Sequence, residues 1–185
     1  MATTTIARWR DWAGTGIEHL VLTEDADDII AESALLGTTD AGAVYAVRYR
    51  LRCDASWHVR ELGISLVGDA RRFEVVGDGA GAWRTDAGVD MPELAGALDV
   101  DLAVTPFTNT LPIRRLALAV GATADVVVAY VGFPDLAVTR ESQRYRRLGQ
   151  RRYRFEALGG NFVRDLDVDQ NGLVVTYPGL FRRDL

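Results

Sequence analysis

The chain has 185 residues, of which 48% are hydrophobic, and this length predicts a single domain over residues 1–185 with a sizeable core. Its formal net charge of −5 argues against binding to nucleic acid, because phosphate-binding surfaces need an excess of positive charge. Cys53 is the only cysteine, which excludes an internal disulfide and a metal site built from several thiolates.

The N-terminal segment lacks the features of an export signal. Its sequence, MATTTIARWRDW, contains no apolar stretch of signal-peptide length, and no apolar run elsewhere reaches the length needed to span a membrane. We therefore expect a cytoplasmic protein without stable membrane insertion.

Segments with strand periodicity follow one another through the first half of the chain. Residues 17–24, 28–37 and 57–68 predict strands. In residues 43–54, apolar and aromatic side chains alternate with arginines, which predicts a strand with one face in the core and the other in solvent. Gly77, Asp78 and Gly79 predict a tight hairpin, with Trp83 on the returning strand.

The second half continues in the same way after one helix. Residues 122–134 are rich in β-branched side chains and predict a buried strand. Two arginine-rich strands flank residues 148–150, and Asn171-Gly172 predicts a hairpin between the last two strands. The total is about ten strands and one helix, which is typical of a barrel or a sandwich.

The stretch DVDLAVTPFTNTLPIRRLAL, residues 99–118, holds most of the candidate chemistry. In an extended strand, Asp99 and Asp101 share one face while Val100 and Leu102 share the other. Thr108 or Asn109 can cap the helix that follows, which carries two adjacent arginines. The sequence therefore predicts that the carboxylates of Asp99 and Asp101 meet the guanidinium groups of Arg114 and Arg115 across a polar turn.

Several segments resemble one known family. They are TPFTNTLPIRRL with the upstream GAW and DVDL, and the downstream AYVGFP, QRY and GLVVTYPGLF. Together they are similar to the putative glycolipid-binding family of bacterial proteins. The resemblance implies a mainly β, antiparallel, incompletely closed barrel with a helical plug, similar to the lipoprotein carriers of the bacterial envelope.

The same resemblance implies a binding protein for a small amphiphilic ligand, a glycolipid or a fatty-acyl compound, held in a barrel cavity. Tyrosine and tryptophan rings on a cavity wall pack against sugars or acyl chains, and arginines grip polar headgroups. The candidate ligand-binding residues are Trp83, Asp99, Asp101, Thr108, Asn109, Arg114, Arg115, Tyr130, Gln143 and Tyr145.

Other interpretations stay open for the same residues. Asp99 and Asp101 could divide acid and base roles in a hydrolase that acts on a sugar or an ester. They could instead form ion pairs with Arg114 and Arg115 that connect the helix to the sheet. A third interpretation is a structural or interaction protein, in which side chains fill the barrel and leave no cavity.

Metal, cofactor and nucleic-acid binding are not expected. His19 and His58 have no partner at metal-ligand spacing. The arginine-rich strands of residues 140–154 interleave tyrosines with arginines, but this alternation is also that of a solvent-exposed ribbon.

Overall fold

The computed structural model describes residues 1–39 and 41–184, which form one fourteen-stranded sheet and one short α-helix. Helix α1 covers Thr110–Leu116 and follows a 3₁₀ turn at Phe107–Asn109, and a second 3₁₀ turn covers Pro92–Leu94. The first seven strands are β1 (Thr3–Asp11), β2 (Ile17–Glu24), β3 (Asp28–Thr38), β4 (Val44–Asp54), β5 (Val59–Leu66), β6 (Arg72–Gly77) and β7 (Trp83–Thr85). The others are β8 (Asp99–Leu102), β9 (Thr123–Val131), β10 (Val138–Gly149), β11 (Arg152–Ala157), β12 (Val163–Val168), β13 (Val174–Tyr177) and β14 (Phe181–Asp184).

The sheet runs in the order β7-β6-β5-β4-β3-β2-β1-β14-β13-β12-β11-β10-β9-β8. Neighbouring strands are antiparallel except β8 and β9, which are parallel. The two edge strands, β7 and β8, are consecutive in the chain, and the segment between them bridges the gap. Gly96 N donates to Gly81 O at 2.9 Å, and the indole N–H of Trp83 donates to Ala97 O at 2.8 Å.

This architecture confirms the predicted fold class: mainly β, antiparallel, not closed into a barrel, and plugged by a helix. The sheet has fourteen strands where the sequence pattern predicts about ten. The sequence pattern predicts no strand at the position of β1. Ile6, the aliphatic side chain that would indicate a buried strand, is 62% exposed and lies on the outer face, whereas Trp9 is 1% exposed and lies on the inner face.

The inner face of the sheet carries two hydrophobic clusters. The first core is built mainly from β1–β7 and includes Trp9, Trp83, Phe107 and Leu111. The second core is built from β9–β13 and α1, and its larger members are Ile113, Tyr145, Tyr153, Phe155, Leu166 and Tyr177. Since Leu111 and Ile113 belong to different cores, the plug lies between them and packs on both.

The β8–β9 pair is buried on both faces. Val100 and Leu102 join the first core, together with Ala129 and Val131 of β9. Asp99 is the partner of Val128, a member of the second core, so the carboxylates face that side. The structure thus confirms the predicted division of DVDL into a polar and an apolar face.

Local chemistry explains the helix and its end. Pro112 lies in the first turn of α1, where backbone N–H groups have no intrahelical acceptor, so the proline removes no hydrogen bond. Ala117 ends the helix in the left-handed region at φ 43°, and its N–H donates to Ile113 O. Within the described part of the chain, no helix has both the length and the apolar character needed to cross a membrane.

Candidate functional site

The polar turn after β8 organises the carboxylate of Asp101. Thr108 Oγ1 donates to Asp101 Oδ1 at 3.0 Å and accepts the N–H of Leu102 at 3.2 Å. From β10, Gln143 Nε2 donates to Asp101 Oδ2 at 2.7 Å. Three predicted site residues, Asp101, Thr108 and Gln143, therefore form one hydrogen-bonded group.

Two more predicted site residues meet beside this group. The hydroxyl of Tyr145 donates to Asn109 Oδ1 at 2.9 Å, and Asn109 Nδ2 donates to Pro106 O at 3.3 Å. Asn109 occupies the position that precedes α1, as predicted, but its side chain makes no capping hydrogen bond. The Asn109 side chain instead connects the plug to Tyr145 of β10, a member of the second core.

An aromatic surface opens next to Asp101. Tyr130 is the register partner of Asp101 in the β8–β9 pair and is partly exposed. Phe162 and Phe181 are also partly exposed, and their ring centroids lie 6.3 and 6.4 Å from that of Tyr177. We call Tyr130, Phe162, Tyr177 and Phe181 the open aromatic face.

Burial and charge shift the titration of these groups. Burial raises the pKa of Asp101, while hydrogen bonds from Gln143 and Thr108 oppose this rise and the charge of Glu141 adds to it. Burial also raises the pKa of Tyr177, and the nearby carboxylate of Asp101 raises it further. The tyrosine hydroxyl is therefore a neutral hydrogen-bonding group beside an acid.

Exposed apolar side chains continue this surface at one end of the sheet. Leu158 is 40% exposed in the β11–β12 turn, and Leu180 is 38% exposed in the β13–β14 turn. Trp12 is 47% exposed, and its backbone N–H donates to Leu180 O at 2.8 Å. Since β11–β14 form an antiparallel meander, both turns lie at the same end, and we call Trp12, Leu158 and Leu180 the apolar rim.

The second predicted carboxylate has a different environment. Asp99 is fully buried and accepts two hydrogen bonds from Arg115, from Nε at 3.1 Å and from Nη2 at 2.5 Å. Burial raises the pKa of Asp99, and the guanidinium of Arg115 opposes the rise. This pair ties α1 to β8, as the ion-pair interpretation predicts for Asp99 but not for Asp101.

Arg114 and Trp83 lie away from the Asp101 group. Arg114 bonds Glu24 Oε2 and Asn171 O, each at 3.0 Å, and its guanidinium lies 4.5 Å from the centre of the Trp57 ring. Trp83 is 3% exposed and belongs to the first core, where its ring sits against Gly77. The structure thus brings together six of the predicted residues, namely Asp101, Thr108, Asn109, Tyr130, Gln143 and Tyr145, and places the other four elsewhere.

Sequence reasoning missed three residues of interest, namely Phe162, Phe181 and Glu18. The sequence singles out Tyr177 as an aromatic residue, but only the meander brings the rings of Phe162 and Phe181 to it. Glu18 is a buried carboxyl in the first core, 4% exposed. Glu18, Leu20 and Leu22 occupy every second position of β2 and share its inner face. This two-residue spacing is the one sequence signal that could have identified Glu18 as buried.

The chemistry that this arrangement supports is polar recognition beside an apolar surface. Among residues 1–39 and 41–184, no group of three or more histidine, cysteine, aspartate or glutamate side chains is placed to hold a metal ion. Asp101 and Gln143 present a carboxylate and an amide, which bind hydroxyl groups well, and the open aromatic face adds flat apolar area.

Comparisons with known proteins agree with this fold. The crystal structure of a DUF1089 family protein from Pseudomonas aeruginosa matches with a TM-score of 0.82 at 39% sequence identity, covering 92% of each chain. No curated protein is similar to the sequence at a significant level. A family model described as "Putative glycolipid-binding" matches residues 6–183, which is nearly the whole sequence. The chain therefore belongs to the family that carries this description.

Proposed function

We propose that this protein binds an amphiphile with a sugar headgroup on the open aromatic face. Asp101, Gln143 and the hydroxyls of Tyr130 and Tyr177 contact the sugar hydroxyls. Phe162, Phe181 and the apolar rim contact the alkyl chain. The family description supports a glycolipid as the ligand class.

The observation that supports this proposal most is the position of the Asp101–Gln143 hydrogen bond next to partly exposed aromatic rings. The hydroxyls of Tyr130 and Tyr177 make no hydrogen bond with any residue in the described ranges, so each has a donor that no described protein group uses. Tyr130 is partly exposed and Tyr177 is 5% exposed. Aromatic rings pack against sugar faces and methylene groups, while carboxylate and amide groups orient the ligand. Each methylene removed from water contributes about 0.8 kcal/mol.

This proposal differs from the predicted cavity in where the apolar part of the ligand lies. The first core is occupied by large side chains that are almost fully buried, among them Trp9, Leu94, Phe107 and Leu111. Helix α1 contributes Ile113 to the second core, and Tyr130, Phe162 and Phe181, which pack against this core, are partly exposed. We therefore propose binding at the partly exposed end of the second core and not behind Trp83.

The test compares three probes by calorimetry: octyl β-glucoside below its micellar concentration, glucose, and octanol. We expect octyl glucoside to bind more tightly than either part alone, because the face recognises both. Asp101→Asn and Phe181→Ser should each weaken binding, whereas Asp125→Asn, on the outer face of β9, serves as the matched control and should not. Equal binding by all variants, or no saturable heat, would refute the proposal.

A lipid extract extends this test to the natural ligand. Protein incubated with the extract is re-isolated, and the retained lipids are identified by mass spectrometry. Retention of a glycolipid that the Phe181→Ser variant fails to retain supports the proposal. Retention of the same lipids by both proteins contradicts it.

One observation favours a second candidate, a hydrolase that acts on a sugar or an ester. A general acid needs a carboxyl group with a raised pKa, and burial together with the charge of Glu141 raises that of Asp101. Asp99 does not fit the second role, because Arg115 binds both of its oxygens, so Glu141 takes that role in this candidate. Release of nitrophenol from nitrophenyl glycosides or esters, lost in Asp101→Asn, would distinguish the enzyme from the binding protein.

A further inference from the structure

A separate cavity lies where α1 ends, between the β10–β11 and β12–β13 turns. Its volume is about 360 Å³. Ile113, Tyr153 and Val168 supply apolar surface, while Arg147 and Arg151 supply charge. Small-molecule pockets of roughly 300 Å³ or more are common in proteins, so this cavity is large enough for a small ligand.

Arg147 is held rigidly at this cavity without a carboxylate partner. Its Nη1 donates to Leu118 O at 2.7 Å and its Nη2 to Gln150 O at 2.9 Å, while its Nε donates to Gly149 O at 3.2 Å. The guanidinium also lies 5.7 Å from the centre of the Tyr153 ring. A guanidinium has five N–H groups, so these three bonds leave further donors and the full positive charge available.

The surrounding charges do not neutralise this site. Arg151 is exposed, and neither it nor Arg147 makes an ion pair with a described residue. Asp169 also lines the cavity, but its carboxylate accepts the N–H groups of Asn171 and Leu173 and faces Arg183 at 3.5 Å. The cavity is therefore locally positive in a chain whose formal net charge is −5.

The hydroxyl of Tyr153 completes the set of polar groups. Tyr153 is 4% exposed, lines the cavity, and has no hydrogen-bond partner for its hydroxyl in the described ranges. The bonded guanidinium of Arg147, the exposed guanidinium of Arg151 and the phenol of Tyr153 match the oxygens of a tetrahedral anion. Ile113 and Val168 lie next to them and offer contact to carbon atoms.

We propose that this cavity binds the phosphate group of a small organic phosphate, with Arg147 and Arg151 on the phosphate oxygens and Ile113 and Val168 on the organic part. The phosphate can come from a soluble phosphomonoester or from a lipid headgroup, since the two share the same chemistry. The site is separate from the open aromatic face, because none of Tyr130, Phe162, Tyr177 and Phe181 lines this cavity.

Calorimetry at constant ionic strength tests this proposal with inorganic phosphate and glycerol 3-phosphate as probes. We expect one saturable site for both and tighter binding of glycerol 3-phosphate. Arg151→Gln should weaken binding by roughly fivefold to tenfold, as the loss of an exposed charge-assisted hydrogen bond predicts. Arg147→Lys keeps the charge but loses the planar donor set, and it should weaken binding while thermal unfolding reports whether the fold persists.

The matched control is Arg146→Gln, which removes the same charge from an exposed position on the outer face of β10. It should leave phosphate binding unchanged. Absence of saturable binding for both probes would overturn the proposal, as would an equal loss in Arg146→Gln and Arg151→Gln. Dihexanoyl phosphatidic acid then identifies the source: displacement of glycerol 3-phosphate indicates a lipid headgroup, and failure to displace it indicates a soluble phosphomonoester.

Discussion

The carboxylate of Asp99 and the guanidinium of Arg115 form a two-bond ion pair that connects β8 to the helical plug. The Asp99 side chain is fully buried and that of Arg115 is 11% exposed, so water screens the pair very little. A buried charge that loses its partner has no water to replace it. The pair is therefore one of the contacts that hold the plug against the sheet, together with the hydrogen bond between Tyr145 and Asn109.

Replacement of Arg115 by leucine should lower the free energy of unfolding by roughly 3 kcal/mol, because it leaves Asp99 buried without a counter-charge. Urea unfolding followed by circular dichroism measures this change. Arg144→Leu is the matched control, since Arg144 bonds Asp125 with two hydrogen bonds on the exposed face of the sheet, and it should have little effect. Similar losses in both variants would show that the buried pair has no special role.

The hydrogen bond between Tyr145 and Asn109 should couple the plug to β10. Asn109→Ala leaves the buried Tyr145 hydroxyl without an acceptor and should cost about 1–3 kcal/mol of stability. In Tyr145→Phe the hydroxyl is absent, so adding Asn109→Ala to that variant should cost less. A double-mutant cycle by urea unfolding measures the coupling. Additive losses would indicate that the hydrogen bond contributes nothing.

Much of this architecture follows from local sequence pattern. The alternation of residues 43–54 gives β4, Val44–Asp54, and the Gly77-Asp78-Gly79 segment gives the β6–β7 hairpin. Asp78 Oδ1 accepts the N–H groups of Ala80 and Ala82 there, which is local chemistry that a sequence reveals. The polar and apolar faces of DVDL follow from the two-residue period in the same way.

Tertiary contacts decide what the local pattern leaves open. Asp99 and Asp101 are equivalent in the sequence, yet one meets Arg115 and the other meets Thr108 and Gln143. The difference arises because β10 supplies Gln143 from more than 40 positions downstream of β8, at a register that no local rule sets. The parallel pairing of β8 with β9, across the plug, is non-local for the same reason.

Gly81 permits a close approach between the β6–β7 turn and the segment that leads into β8. Its φ is +100°, and a Cβ atom there would lie 2.8 Å from the Cα of Gly96. Gly81→Ala therefore combines backbone strain with a clash, and we expect a loss of roughly 2 kcal/mol or more. Gly88→Ala is the matched control: its φ is +81° but open space surrounds the site, so only about 1 kcal/mol is expected. Thermal unfolding compares the two, and equal losses would mean that the contact with Gly96 is unimportant.

Cys53 should be unreactive in the folded protein. Its side chain is fully buried in the first core, and burial raises the pKa of its thiol. Reaction with Ellman's reagent at pH 8 should be at least about a thousandfold slower than in the urea-unfolded chain, because it requires opening of the core. Rapid modification of the folded protein would show that β4 opens locally.

Glu18 is the buried acid of the first core, and its two oxygens differ. Oε1 accepts the hydroxyls of Ser33 at 2.8 Å and Tyr49 at 2.7 Å. Oε2 is buried with no hydrogen-bond partner among the described residues. Burial raises the pKa of Glu18 above its ordinary value of 4.5, while the nearby hydroxyls of Thr105, Tyr49 and Ser33 oppose the rise. The folded protein therefore favours the neutral carboxyl group.

This preference predicts a specific pH dependence of stability. Above pH 4.5 the unfolded chain releases the Glu18 proton while the folded protein retains it, so the free energy of unfolding falls as pH rises towards the folded-state pKa and is level above it. Glu18→Gln is neutral in both states, so its stability relative to the wild type should increase with pH over the same interval. Urea unfolding between pH 4.5 and 8 measures the free energy of unfolding of both proteins. Asp99 and Asp101 are present in both, so their contributions cancel in the difference between the two free energies. Glu32→Gln, at a side chain 64% exposed on the outer face of β3, should run parallel to the wild type. A parallel curve for Glu18→Gln as well would mean that Glu18 ionises as readily in the core as in the unfolded chain.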